Sequence, residues 1–244
     1  MNSGMYSALS GNLAAMKRMD IISNNLANVN TPGFKKDRMT FEGMLSSIST
    51  PPAVPPAMTA DPVIQKENVY IDYASGPVMQ TGNTFDLTID GDGFFVVSTP
   101  DGPAYTRQGN FRLAADGSLV TTDGHPVQGQ SGAIRISGSR IEIDAKGVIT
   151  ADGTPTGTIS IVDFPKPYEL EKTGSALFVP RNRDLAPEPA TGELRQGHLE
   201  GSNVETVSEM VQMIETNRYF DACQRVILSF NDMTSKAANE LGRL

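Results

Sequence analysis

The residues best suited to chemistry by type and spacing lie in the middle of the chain. Gly91-Asp92-Gly93-Phe94-Phe95-Val96 begins like a dinucleotide-cradling turn, but Val96 stands where the third glycine belongs. It also leads into a strand pattern, so no helix N-terminus follows to meet a pyrophosphate. Asp90-Gly91-Asp92-Gly93 has the carboxylate density of a calcium loop, yet neither reading frame works. Counted from Asp90 the sixth residue is Phe95 instead of glycine; counted from Thr88 the sixth is Gly93 but the twelfth is Thr99. Asp90 and Asp92 form a candidate acid/base pair, a role that requires burial and converging geometry, whereas acidic turn residues are normally solvated. The two histidines, His125 and His198, sit beside turn residues without His, Cys or carboxylate at metal-ligand spacing. No Gly-x-Ser-x-Gly elbow, Walker loop or His-Glu-x-x-His motif occurs. The expectation is a protein that is not an enzyme, with no catalytic residues, no metal and no cofactor.

The elements around these turns have a different emphasis. From Met5 the residues Met5, Ala8, Ala15, Met19, Ile22, Leu26 and Val29, with Asn12 in the one gap, alternate in steps of three and four. That is the a/d stripe of a heptad seam. Thr31-Pro32-Gly33 ends it, and Pro32 with Gly33 is expected to act as a hinge. At the other end Phe220, Cys223, Ile227, Phe230, Ala237, Leu241 and Leu244 keep the same alternation, with Thr234 as the only polar interruption. Val204, Val207, Val211 and Ile214 form a second stripe, displaced around the helix, so the seam shifts near Thr216-Asn217. Periodicity alone leaves two readings open: an intramolecular pair capping a domain, or surfaces for neighbouring chains. Asn24, Asn25, Asn28 and Asn30 spread over the outer positions of the first helix, where uncharged two-way hydrogen-bonding groups suit repeated protein contact or simply fray the helix end.

Between the helices the period changes to two. Asp-Gly pairs recur at 90, 92, 101, 116, 123 and 152, each supplying the positive φ of a tight hairpin. Strand patterns lie between them, including Phe85–Ile89, Phe94–Ser98, Ile134–Ile136, Ile141–Ile143 and Ile159–Phe164. Residues 34–45 have weak helical potential, and Ser46–Pro62, with five prolines, reads as an extended connector. Ser202 or Asn203 is the expected N-cap of the last helix. The predicted fold class is α+β: terminal helices forming a coiled-coil-like pair, with an inserted hairpin-rich all-β barrel or sandwich. The expected segments are an assembly helix over 1–31, a connector and axial-contact region over 32–81, a β domain over 82–183, a return connector over 184–202 and an assembly helix over 203–244.

The totals agree with this layout. A chain of 244 residues with 39% hydrophobic content, 23 glycines and 16 prolines suits one large or two modest turn-rich domains. A net charge of −8 gives no basic footprint for nucleic acid. The lone Cys223 excludes an intrachain disulfide, and no apolar run approaches the ~20 residues of a membrane helix, so no membrane insertion is expected. The first residues lack the basic and apolar regions of a secretory signal, which on its own suggests a soluble cytoplasmic protein.

Ser23-Asn-Asn-Leu-Ala-Asn-Val-Asn-Thr-Pro-Gly-Phe34 resembles the N-terminal signature of the bacterial flagellar rod and hook proteins. Thr81-Gly-Asn-Thr-Phe-Asp-Leu-Thr-Ile-Asp-Gly-Asp-Gly-Phe-Phe95 and Tyr105-Thr-Arg-Gln-Gly-Asn-Phe111 resemble that family's β-domain signature. Gly197-His-Leu-Glu-Gly-Ser-Asn-Val204 with Met210-Val-Gln-Met-Ile-Glu-Thr-Asn-Arg-Tyr-Phe220 resembles its C-terminal one. Gly157–Pro165, Leu177–Pro180 and the opening Met1–Leu9 look most like the proximal-rod branch, with the distal-rod and hook branches as alternatives. The resemblance implies a structural subunit of the basal-body rod, spanning the periplasm and needed for motility. Its partners would be copies of itself and other flagellar rod and hook proteins. Export would run through the flagellar type III apparatus without a cleaved signal peptide, replacing the cytoplasmic expectation. Both terminal helices would line the inner tube, so the stripe residues named above, with Asn24, Asn25 and Asn28, become candidate subunit-interface positions. The rival class is a secreted β-domain enzyme or carbohydrate binder with oligomerising helices, weakened by the absence of tryptophan for sugar stacking.

Overall fold

The computed structural model describes residues 2–43, 65–174, 176–182 and 185–241. The proline-rich connector expected over 46–62 lies outside them. The chain divides into two units, one built from Met1–Ala27, Asp37–Asp72 and Glu205–Leu244, the other from Asn28–Lys36 and Tyr73–Val204.

The first unit holds helix α1 (Asn2–Ala27), helix α2 (Thr206–Leu241) and an antiparallel strand pair, β1 (Asp37–Gly43) with β2 (Gln65–Ile71). α1 is free of proline and has no β-branched residue before Ile21, so propensity and pattern agree. It stops at Ala27, before the expected end at residue 31. There the Thr31 N–H donates to the Asn28 carbonyl at 3.1 Å and the Thr31 hydroxyl to Asn28 Oδ1 at 3.2 Å, local bonds that compete with helix. α2 begins later than expected because the presumed caps are engaged elsewhere. Asn203 Oδ1 accepts from the Lys36 N–H at 2.7 Å and Ser202 Oγ from the Val204 N–H at 3.3 Å. Residues 44 and 45 of the weak helix expected over 34–45 lie outside the described residues, and within it residues 37–43 instead form strand β1. Every one of its residues pairs with β2, from Asp37 opposite Ile71 to Gly43 opposite Gln65, a long-range ladder that overrides a marginal local preference.

The second unit is the β domain. Its largest sheet has six antiparallel strands in the order Leu170–Thr173, Leu177–Pro180, Gly102–Thr106, Phe94–Thr99, Ile161–Asp163, Glu188–Pro189. A three-stranded meander, Ile141–Ile143, Val148–Ala151 and Thr154–Thr158, lies in the same unit. The glycines of all six Asp-Gly pairs have φ between 81° and 138°, as their turns require. Alternation along Phe94–Thr99 sorts its side chains to two faces. Phe95 and Val97 enter the aliphatic core with Leu87, Leu119, Val127 and Ile149. Phe94 enters a separate aromatic cluster with Tyr73, Phe164, Tyr168 and Phe178, at centroid distances of 5.6–6.2 Å. In the expected strand Ile134–Ile136 both isoleucines are buried; besides the bridge of Arg135 to Ser118, the Ile134 carbonyl accepts from the Leu119 N–H, and the Ile134 and Ile136 N–H groups donate to the Val127 and Gly117 carbonyls. The stretch read as a return connector contains three strands: Glu188–Pro189 at the edge of the six-stranded sheet, Glu193–Gln196 paired with Leu87–Asp90, and His198–Glu200 paired with Val78–Gln80.

Candidate functional site

α1 and α2 run antiparallel. Their seam is lined by small residues on α1: a methyl group built on Gly4 would sit 2.9 Å from Phe230 Cζ, and one on Gly11 2.8 Å from the Tyr219 hydroxyl and 3.2 Å from Cys223 Sγ. Gly4, Ala8, Gly11 and Ala15 recur in steps of four, three and four, so the α1 backbone itself forms the wall against α2. Burial of the Tyr219 hydroxyl, together with the Cys223 thiol beside it, raises the phenol pKa above its ordinary value. Farther along, Ile22 is buried and Asn25 fills the next seam position.

Asn25 is not an outer residue. Its Nδ2 donates to the Asp37 carbonyl at 2.9 Å and to Glu209 Oε2 at 3.4 Å, while its Oδ1 accepts from the Asp37 N–H at 3.0 Å. The amide thus pairs with the first residue of β1 as a neighbouring strand would. Within the β unit a second buried polar cluster surrounds Glu200. Its Oε1 accepts from Lys35 Nζ at 2.6 Å and from the Gly76 N–H at 3.1 Å, and its Oε2 lies 3.5 Å from Arg107 Nη1. Lys35 also donates to the Ala74 carbonyl at 2.9 Å, and Arg107 to the carbonyls of Ile89 and Gly91 at 3.1 and 2.6 Å. Gly33 closes this site: its N–H donates to the Glu200 carbonyl at 2.8 Å, its φ is 67°, and a methyl group there would lie 2.3 Å from the Arg107 carbonyl carbon.

The candidate interface residues separate into classes. Ala15, Ile22, Asn25 and Cys223 are buried inside the first unit, and Val204 inside the second. Ala8, Met19, Leu26, Phe220, Ile227 and Phe230 are half-buried, as are Asn28, Val29 and Pro32 in the second unit. Met5, Asn24, Val207, Val211 and Ile214 are exposed, Val207 by 71%. Leu241 closes α2. Sequence reasoning passed over Tyr6, Leu9, Leu13, Met16 and Met210, all exposed apolar side chains on the two helices. The signal for the first four was present, because they too repeat in steps of three and four, in a stretch with no charged side chain before Lys17.

The residues considered for chemistry are placed apart. Asp90 pairs with Arg195, and Asp92 with Lys166 at 2.7 Å, all on the surface. The His198 Nδ1 is 2.8 Å from the Gln196 carbonyl, and the His125 N–H donates to the Thr121 hydroxyl at 3.1 Å. Among the described residues no group of three or more His, Cys, Asp or Glu side chains is arranged to hold a metal, and no helix is long and apolar enough to cross a membrane.

Three family descriptions match the chain in order: flagella basal body rod protein over residues 5–35, flagellar hook protein FlgE/F/G D1 domain over 88–151, and flagellar basal body rod FlgEFG protein C-terminal over 195–241. The flagellar basal-body rod protein FlgG of Bacillus subtilis (strain 168) is 35% identical over 263 residues, covering 96% of this chain and 97% of that protein. FlgF of Rhizobium meliloti (strain 1021) is 32% identical, covering 99% of each. FlgF of Caulobacter vibrioides is 31% identical over the whole of both chains. Matched from end to end, and in the same order of helix, β domain and helix, this chain belongs to the flagellar basal-body rod protein family.

Proposed function

We propose that this structural rod protein works by polymerising through its terminal helices, as a proximal-rod subunit of the basal body. The single observation that carries this is the apolar side chains left exposed on both α1 and α2 after the helices have packed together. A helix pair with one face satisfied and another bare gains stability from neighbours. Copies of the chain and other rod and hook proteins are the neighbours, and torque passes through packed helices with no turnover. The subunit reaches the growing tip through the flagellar type III apparatus without a cleaved signal peptide. The proximal position is supported by the resemblance of Gly157–Pro165 and Leu177–Pro180 to that branch; the distal rod is the alternative, since relatives of both the F and G types match over comparable lengths. A deletion strain imaged by electron cryotomography tests the reading. Loss of swimming with rods arrested at their proximal end is expected, whereas complete rods in swimming cells would refute it.

A further inference from the structure

We infer that Asn25 and Asn203 are positioning residues of the shaft, each holding the chain on one side of the step from the β unit into the helical unit. The inference rests on the rod reading and adds the residues that make the β unit follow the turning helices without slack. The chain passes between the units four times, after Ala27, Lys36, Asp72 and Val204. At the second passage Lys36 is the last residue of the β unit and Asp37 the first of the helical one. Both of these consecutive N–H groups are taken by an asparagine side chain, each from the unit to which the amide belongs. The Lys36 N–H donates to Asn203 Oδ1 at 2.7 Å and the Asp37 N–H to Asn25 Oδ1 at 3.0 Å.

A carboxamide accepts at one end and donates at the other, so one side chain can hold two pieces of backbone. Asn203 does so across passages that are far apart in sequence. Its Nδ2 donates to the Ala74 carbonyl at 3.1 Å, two residues past the third passage, and its own N–H to the Phe34 carbonyl at 3.3 Å. Val204, next to it, ends the β unit at the fourth. Three of the four passages are therefore tied at one residue. The tie is anchored to the buried cluster around Glu200, because Lys35 Nζ also donates to the Ala74 carbonyl at 2.9 Å and Lys172 Nζ to the Lys35 carbonyl at 2.8 Å. In the helical unit Asn25, 2% exposed, closes both ends on Asp37 and reaches Glu209 Oε2, so it joins α1, β1 and α2. Tension along Lys36-Asp37 thus meets hydrogen-bonded backbone on either side. Without the two amides that peptide becomes a looser link, because Lys36 precedes the β1 ladder, which begins at Asp37.

Leucine matches asparagine in size without its polar ends, so Asn203→Leu and Asn25→Leu separate grip from packing. Site-resolved amide exchange on the purified full-length chain reads each grip by itself. Asn203→Leu is expected to speed exchange at Lys36 about tenfold, the effect of one hydrogen bond, with Asp37 and the core amides of Leu87 and Leu119 unchanged. Asn25→Leu should do the converse, releasing Asp37 and sparing Lys36. Asn203→Asp keeps the acceptor and should leave Lys36 protected. In the deletion strain complemented with either leucine variant, complete rods are expected, with swimming that falls further behind the parent's as the medium is made more viscous. Lys36 protected in Asn203→Leu or released in Asn203→Asp, or both amides and the core released together, would overturn the assignment. So would rods arrested in the leucine variants, or swimming equal to the parent's at every viscosity. The rod reading fails separately, only if the deletion strain itself builds complete rods.

Discussion

Glu200 is a buried charge in the β unit, and removing it takes a carboxylate partner from both Lys35 and Arg107. Its side chain and that of Lys35 are 2% and 1% exposed, and Arg107 is 5% exposed. Glu200→Leu leaves Lys35 Nζ with the Ala74 carbonyl, leaves Arg107 with the carbonyls of Ile89 and Gly91, and takes the acceptor from the Gly76 N–H. Breaking a buried pair by removing one partner costs about 3–5 kcal/mol, because the other charge remains without its counter-ion. Glu200→Gln retains the shape and one acceptor but not the charge, and about 2–3 kcal/mol is expected, the upper range for a hydrogen bond to a charged group. Lys35→Met and Glu200→Leu each break the same ion pair, so the double variant should lose less than the sum of the singles, by about 1–3 kcal/mol. The assay is urea denaturation of the full-length chain followed by near-ultraviolet circular dichroism, to which Tyr73, Tyr105 and Tyr168 of the aromatic cluster contribute in the absence of tryptophan. A Glu200→Leu loss below about 1 kcal/mol, or strictly additive singles, would refute the placement of a coupled buried network here.

Gly33→Ala combines a left-handed backbone with a methyl group 2.3 Å from the Arg107 carbonyl carbon, and about 3 kcal/mol of destabilisation is expected; a thermal transition matching that of the parent would contradict it. Asn25→Ala removes both hydrogen bonds to the Asp37 backbone, for about 2 kcal/mol, and should abolish amide-exchange protection at Asp37; retained protection there would sink the assignment. Asp116 is held below the ordinary carboxylate range first by the Ser118 hydroxyl and then its N–H, and Asp152 by the N–H groups of Arg140 and Ser139. With the folded pKa depressed, their contribution is present above the unfolded value and fades as pH falls through the folded one. Carbon-13 carboxyl titration checks this, and values at the unperturbed ~3.9 would refute it.

The lesson of the sequence differs from element to element. The Asp-Gly pairs announced their turns because the positive φ they need is a property of the glycine itself. The terminal stripes announced helices because burial on one side imposes a 3.6-residue period wherever the partner comes from. The same stripe coincides with the packed seam at Ala8, Ala15 and Ile22 but misses its glycines: Met5 is exposed and Gly4 packs on Phe230, because glycine counts as a gap in a hydrophobic pattern but as close approach in packing.

Sequence by itself established two helices bracketing a hairpin-rich β domain, an absence of familiar catalytic motifs, and family membership through three ordered signatures. Only tertiary structure decided that Asp37–Gly43 is a strand, that Asn25 is a buried clamp and not an outer contact, and that Lys35, Arg107 and Glu200 share one site. The physical reason is common to all three. Their conformations are set by partners 12 to 184 residues away, for which the local chain carries no periodic signal.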